Sequence, residues 1–142
     1  MKHFQSSIDI DAPPETVWAV LIDTANWPSF DPYSERVEGR PGLGETLTVY
    51  STLAPGRAFA LTVTACERAS EFAWTGGLPL GMLKNVRSHT LTPRADGGTH
   101  FRLSEVVSGP MAPLIAGSLP DLTEPFAAFC NGLKSRVEEA RP

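Results

Sequence analysis

The chain has 142 residues, of which 42% are hydrophobic, and it carries 16 acidic and 12 basic side chains for a formal net charge of −4. This apolar content excludes a disordered chain, and the length fits a single domain over residues 1–142. The acidic balance, with no run of Lys and Arg, argues against a nucleic-acid partner. The 12 Gly and 13 Pro are therefore expected to separate many short elements.

The first elements are predicted to be a strand followed by short helices. Residues 11–15 (Asp-Ala-Pro-Pro-Glu) are typical of a helix start, with a capping Asp, prolines in the first turn and an early acid. An apolar run follows at residues 17–22, and Trp27-Pro28 ends or kinks it.

About six strands are predicted next. Residues 57–75, 82–92 and 99–108 contain neither Gly nor Pro. Together with residues 47–53 they show the alternation of apolar with small or polar side chains that indicates half-buried strands. Residues 94–98 supply Asp-Gly and Gly-Gly pairs for a hairpin turn.

The carboxyl end is predicted to form a long amphipathic helix. Its apolar stripe has a spacing of three or four residues and consists of Leu119, Leu122, Phe126, Phe129, Leu133 and Val137. Ser118 is a candidate cap, with Asp121 three positions on. Pro125 means that the helix either bends in its first turns or begins near Thr123. A run of strands before one helix predicts an α+β domain with a pocket between sheet and helix.

Several stretches, in order along nearly the whole chain, resemble the SRPBCC superfamily, in its bacterial polyketide cyclase/dehydrase branch. They are IDIDAPPETVW at 8–18, WTGGLP at 74–79, LTP and GGT within 91–99, SE and SGP within 104–110, and NGLK with Glu138 within 131–138.

The resemblance implies a helix-grip fold, shared with START lipid-transfer domains and birch-pollen-allergen-like proteins. This is a curved antiparallel sheet of about seven strands wrapped around a long C-terminal helix, with two short helices after the first strand and a cavity inside. It leaves the chemistry open, because members bind, carry, cyclise or hydrolyse different ligands.

Polar residues interrupt two apolar strand faces. Glu105 stands out on one, and Arg87 and His89 stand out on the other beside Asn85. A five-residue turn places Arg87 opposite Glu105, whereas a register shifted by two residues places His89 there. The group is interpreted either as an ion pair that braces the sheet or as a polar spot that orients a ligand carboxylate, carbonyl or phenol. His89 is also a candidate general acid or base.

The resemblance turns the remaining inward side chains into candidate pocket walls. The candidate ligand-binding residues, with the polar group included, are Phe59, Leu61, Trp74, Leu78, Met82, Arg87, His89, Phe101, Leu103, Glu105, Phe126 and Phe129. The apolar, Gly-rich loop at residues 76–83 is interpreted as a lid. A homodimer interface is the alternative, since exposed apolar loops also form interfaces.

The favoured function is non-catalytic binding or carriage of a small hydrophobic ligand, of lipid, isoprenoid or aromatic polyketide type. A polyketide cyclase or dehydratase that uses His89, Glu105 and Arg87 is the first alternative. A protein-assembly factor that binds through residues 76–83 is the second.

No cofactor or metal is predicted, because the three histidines lack ligand spacing and His89 and His100 are expected on opposite faces. Cys66 and Cys130 are expected to be reduced thiols, with one disulfide as the less favoured alternative. Without an apolar leader or a membrane-length apolar stretch, the expected location is cytoplasmic, with no integral membrane association.

Overall fold

A computed structural model of the protein describes residues 2–115 and 121–139. The strands are β1 (Lys2–Ile10), β2 (Ser34–Glu38), β3 (Thr46–Ser51), β4 (Phe59–Glu67), β5 (Glu71–Leu78), β6 (Leu83–Pro93) and β7 (Thr99–Ser108). The α-helices are α1 (Pro14–Leu21), α2 (Ala112–Ile115) and α3 (Thr123–Glu139), and 3-10 helices span Thr24–Ser29 and Pro79–Gly81.

The strands form one antiparallel sheet in the order β1-β7-β6-β5-β4-β3-β2, which curls into a half-barrel. Sequential hairpins connect β2 through β7, whereas β1 pairs with β7, from Lys2 opposite Val107 to Ile10 opposite Thr99. Successive side chains point to opposite faces, so every second residue of a strand faces the concave side. The α+β prediction of about seven strands around a terminal helix is confirmed.

Helix α3 packs its apolar stripe against the concave side of the sheet, with Phe126, Phe129 and Leu133 all buried. Of the two alternatives, a bend in the first turns or a start near Thr123, the start at Thr123 is correct. The backbone N–H of Thr123 donates to Asp121 Oδ1 at 2.9 Å, so Asp121 caps this end of the helix. The predicted cap Ser118 and the first stripe residue Leu119 lie outside the described residues.

The predicted cap of α1 is wrong. The N-cap position is Pro13, which has extended backbone angles and no side-chain cap, and Pro14 stands in the first turn as predicted. Proline fixes φ and lacks an N–H, so the two prolines shape the helix entrance without a capping oxygen. The backbone N–H of Asp11 instead donates to Glu138 Oε2 of α3 at 2.9 Å.

Residues 76–83 form a hairpin end rather than a long loop, which corrects the sequence interpretation. Gly76 and Gly77 belong to β5 and pair with Asn85 and Lys84 of β6. A Cβ on Gly76 would lie 2.5 Å from the Leu61 side chain, so this glycine makes room for packing within the sheet. Only the turn between β5 and β6 remains as a candidate lid.

One end of the concave space, here called the closed end, is filled by aromatic side chains. Neighbouring ring centroids lie 4.9 to 6.4 Å apart. The six rings belong to Trp27, Phe72, Trp74, His89, Phe101 and Phe129. Rings this close leave no room for a ligand among them, so any ligand space lies toward the other end of α3, here called the open end.

Both cysteines are free thiols, Cys130 buried and Cys66 half-buried. The free state agrees with the favoured prediction of reduced cysteines. Among the described residues, no helix is long and apolar enough to cross a membrane.

Candidate functional site

The polar group predicted from the strand pattern lies on the concave face, between β6, β7 and α3. Leu91 pairs with Phe101 and Arg87 pairs with Glu105, so the unshifted register is correct. His89 instead pairs with Leu103. Two strands and a turn of fixed length therefore bring Arg87 and Glu105 together.

Arg87 and Glu105 form a largely buried ion pair at the boundary of the open end. The Arg87 Nε lies 3.0 Å from Glu105 Oε1, and the side chains are 25% and 8% exposed. The guanidinium carbon also lies 5.5 Å from the centre of the Trp74 ring and 4.9 Å from that of Phe126. These aromatic faces stabilise the cation and hold its plane. A charged pair fixed in this way is a rigid polar point in an apolar wall.

Part of this pair's hydrogen-bonding capacity is unused. Among the residues that the structure describes, the Arg87 guanidinium donates only through Nε, to Glu105 Oε1. The terminal nitrogens of Arg87 and the second oxygen of Glu105 have no partner there. Those atoms give the site adjacent donors and an acceptor. Asn85, next along the same face of β6, adds an amide toward the open end.

Asp31 is a further acidic residue at this site that the sequence reasoning missed. It follows the first 3-10 helix and is buried, and its carboxylate accepts from Ser34 Oγ at 2.6 Å and from the Tyr33 backbone N–H at 3.1 Å. Burial raises the pKa of the Asp31 carboxyl, while the nearby Arg87 charge opposes that shift. The signal in the sequence is an aspartate that directly follows the apolar Phe30. Loop aspartates usually stabilise turns, so this one does not stand out as a site residue.

His89 lies deep in the closed end and is 1% exposed. Its Nδ1 lies 2.9 Å from the Phe72 carbonyl oxygen, to which the neutral ring donates. Burial lowers the pKa of His89 to about 3, although the bond to Phe72 works against that shift. The imidazole is therefore neutral at ordinary pH and a weak base.

The predicted wall residues other than the polar group fall into four groups. Trp74, which is also one of the closed-end rings, and Phe126 flank Arg87, whereas Phe101, Leu103 and Phe129 are buried within the closed end. Leu61 is buried on β4, and Phe59 is half-buried beside it under the Arg57 guanidinium. Leu78 and Met82 are exposed on the β5–β6 hairpin. The structure thus gathers only part of the predicted wall around the polar pair.

The tip of the β5–β6 hairpin is an exposed apolar projection. Leu80 is 98% exposed and adopts φ 60°, in the left-handed region that favours glycine. The Met82 carbonyl accepts from the Met111 backbone N–H at 2.8 Å, which ties the tip to the segment after β7. A Cβ on Gly109 would lie 2.8 Å from the Met82 carbonyl oxygen, so the contact between these segments is close.

Two open grooves lie outside the sheet–helix interior. One of about 630 Å³ lies beside α1 and is lined in part by Trp18 and Arg68. The other, of about 340 Å³, lies between Phe30 and the outer side of α3. In the described parts of the chain, no three His, Cys, Asp or Glu side chains are placed to hold a metal ion. His100 pairs with Asp9 on the outer face, opposite His89.

Comparison with known proteins agrees with this geometry. A family model described as "Polyketide cyclase / dehydrase and lipid transport" matches residues 1–138. The chain belongs to this family. No curated protein matches it.

Solved structures share the fold at low sequence identity. A protein from Mesorhizobium loti is 20% identical, with a TM-score of 0.74 over 99% of this chain and 100% of that one. The Zhui aromatase/cyclase from Streptomyces sp. R1128 is 16% identical, with a TM-score of 0.72 over 97% and 94%. Truncated norcoclaurine synthase from Thalictrum flavum is 17% identical, with a TM-score of 0.71 over 99% and 95%. The same fold thus occurs in proteins that are named for different activities.

Proposed function

We propose that this protein binds or carries a small hydrophobic ligand, of lipid, isoprenoid or aromatic polyketide type, at the open end of the space between the sheet and α3. The observation that carries the proposal is the Arg87–Glu105 pair, which is partly accessible and lies between the Trp74 and Phe126 rings. Family membership supports it, since the family description includes lipid transport.

Apolar contact supplies most of the affinity in this proposal. Burying ligand carbon contributes about 25 cal/mol per Å², and the aromatic and aliphatic walls offer the surface for it. Arg87 and Glu105 orient the ligand by its polar group. His89, which the ring cluster encloses, supports the wall from behind.

The β5–β6 tip acts as the lid over this site. Leu78 and Met82 are exposed on either side of Leu80, and an exposed leucine in a strained conformation indicates a role other than stability. The same projection suits a homodimer interface or a partner protein. If the tip is an interface, Leu80→Asp would abolish association with the second chain or the partner while ligand binding persisted. If the tip is a lid, the protein would be a monomer and Leu80→Asp would weaken its ligand binding.

A cyclase or dehydratase is the second candidate, favoured by the unused hydrogen-bonding atoms of the ion pair. Arg87 would polarise a substrate carbonyl and Glu105 would move a proton. His89 would contribute as a weak base or by positioning, in keeping with its lowered pKa. Turnover that survives both Arg87→Ala and Glu105→Ala would remove these roles.

Native mass spectrometry of the purified protein, followed by solvent extraction, tests the binding proposal directly. We expect a non-covalent adduct that is released on denaturation, and binding of the neutral dye Nile red to the emptied protein. Phe126→Ala should weaken dye binding about tenfold, because the ring beside Arg87 is lost.

Phe129→Ala is the matched control, since it removes the same side chain from the closed end of the same helix. It should not weaken dye binding. The absence of both an adduct and dye binding would contradict the proposal, and equal weakening by the two variants would contradict the location of the ligand site.

The two free thiols fit a reducing compartment, and we propose a cytoplasmic location of the protein on that ground.

A further inference from the structure

We propose that the open-end site selects apolar ligands whose polar end is an uncharged hydroxyl, an alcohol or a phenol, and discriminates against carboxylates. This inference rests on the proposed function and specifies the ligand class of the same site. It follows from the fact that carboxylates of the protein already compensate the positive charge of Arg87.

The positive charge of Arg87 is compensated within the protein. Its Nε donates to Glu105 Oε1 at 3.0 Å, and the Glu105 side chain is only 8% exposed. A ligand carboxylate could take over the guanidinium only by displacing Glu105. That would leave a buried carboxylate without its partner, which is strongly unfavourable. The pair therefore opposes the binding of an anionic group.

A second carboxylate adds to this opposition. Asp31 is buried, is held by Ser34 and by the Tyr33 backbone, and lies near enough to Arg87 for the two charges to interact. The interior of the site thus carries one cation and two carboxylates.

A hydroxyl matches the hydrogen-bonding atoms that remain. The terminal N–H groups of Arg87 are donors, and the second oxygen of Glu105 is an acceptor; none has a partner among the described residues. A ligand hydroxyl can accept from Arg87 and donate to Glu105 at the same time. A carboxylate can accept but cannot donate, so it would face Glu105 with like charge.

The experiment compares decan-1-ol with decanoate as displacers of Nile red from the purified full chain at pH 8. We expect decan-1-ol to bind more tightly in the wild type. Apolar partition alone would give the same order, so the decisive quantity is the ratio of the two dissociation constants in Glu105→Gln. Freeing Arg87 from its internal partner should shift that ratio about tenfold toward decanoate.

Glu38→Gln is the matched control, because Glu38 pairs with Arg36 on the exposed outer face at 3.5 Å. It should leave the ratio unchanged. Asp31→Asn should shift the ratio in the same direction as Glu105→Gln, and it serves as the test if Glu105→Gln does not fold. Tighter wild-type binding of decanoate, or an unchanged ratio in the folded site variants, would overturn the inference. Failure of the wild type to bind the dye or either displacer would overturn the proposed function itself.

Discussion

The environment of a single side chain decides its chemistry at His89. The sequence presents a histidine next to Arg87 on a strand, which suggests a group that titrates near neutral pH. Packing instead places Phe72 and Trp74 against the ring, and burial lowers the pKa of His89 to about 3. The imidazole is therefore a neutral, buried side chain at ordinary pH, and its protonation would affect stability.

His89 should make the folded state less stable at mildly acidic pH. Below its ordinary pKa of 6.5 the unfolded chain binds a proton that the folded protein excludes until about pH 3, so stability falls by about 1.4 kcal/mol per pH unit in that window. Urea unfolding at pH 7.5 and pH 5.0 measures this loss. His89→Gln, which keeps an N–H donor toward Phe72, should lose about 2 kcal/mol less than the wild type between the two pH values.

The carboxyls whose pKa is lowered, Asp9, Asp121 and Glu138, are ionised in both the folded and the unfolded chain above pH 5, so they add little to the change in stability between pH 7.5 and pH 5.0. An equal loss of stability in wild type and His89→Gln would contradict the assignment of His89 as a buried neutral group.

The Arg87–Glu105 pair should behave as a mutually dependent unit. Arg87→Leu leaves Glu105 buried without a partner and should lower the free energy of unfolding by about 3 kcal/mol. The double variant Arg87→Leu/Glu105→Leu should recover most of that loss, because no unpaired charge remains. Chemical denaturation of the two single variants and the double variant measures the coupling.

Arg36→Leu is the control, because Arg36 also lies over an aromatic ring, that of Tyr50, and pairs with Glu38 on the exposed face. It should have little effect on stability. Additive effects of the Arg87 and Glu105 substitutions would show that the pair is not coupled.

At the scale of elements, the close approach between α3 and the loop that carries Phe30 and Asp31 depends on one glycine. A Cβ on Gly132 would lie 2.1 Å from the Phe30 carbonyl oxygen, a distance that real Cβ atoms do not adopt. Phe30 also packs its ring edge-on against Phe129 at 5.4 Å. This contact fixes the loop that carries Asp31, so the packing of α3 and the position of Asp31 at the site both depend on it.

Gly132→Ala should therefore destabilise the protein by about 2 kcal/mol, because backbone atoms must move apart. The sign is diagnostic, since alanine in place of a helix-interior glycine normally stabilises by about 1 kcal/mol. Ser135→Ala, on the exposed side of the same helix, is the control and should be neutral or slightly stabilising. A stabilising Gly132→Ala would show that α3 and the loop are farther apart than described.

The β5–β6 tip should be strained by Leu80. A non-glycine residue in the left-handed region costs about 1–2 kcal/mol, and a side chain that is 98% exposed gains almost nothing from burial. Leu80→Gly should raise the free energy of unfolding by up to about 1 kcal/mol after the entropy of glycine in the unfolded chain is counted. Urea denaturation measures it.

Leu43→Gly provides the comparison, because Leu43 is also exposed but does not have a positive φ. It should be neutral or destabilising. If both substitutions destabilise equally, the tip is not strained.

At the scale of the whole molecule, the sequence predicts those elements whose side-chain pattern is periodic along the chain. Period-two alternation locates the strands, and a stripe at every third or fourth position locates α3. A five-residue turn pairs Arg87 with Glu105, which is one of the two registers that the sequence leaves open. The positions of strands and helix are local features, so composition and spacing determine them, whereas the short connection only limits the register to two choices.

The remaining features depend on contacts between distant segments. Asp31 reaches the site because Gly132 lets its loop approach α3, and no local pattern reports that. The filling of the closed end depends on how Trp27 enters between strands and helix. The interpretation of residues 76–83 as a Gly-rich loop is wrong for two glycines that belong to β5, one of which makes room for Leu61 within the sheet.

The pairing of β1 with β7 has a consequence for how the chain folds. Lys2 and Val107 are partners across roughly a hundred residues, whereas β2 through β7 pair with strands next to them in sequence. Contacts between distant segments form slowly, because a long loop must close before they contribute. During synthesis β1 leaves the ribosome long before its partner exists. It should therefore be the last strand to join the sheet, and until it does, the edge of β7 is open to the pairing of a second chain.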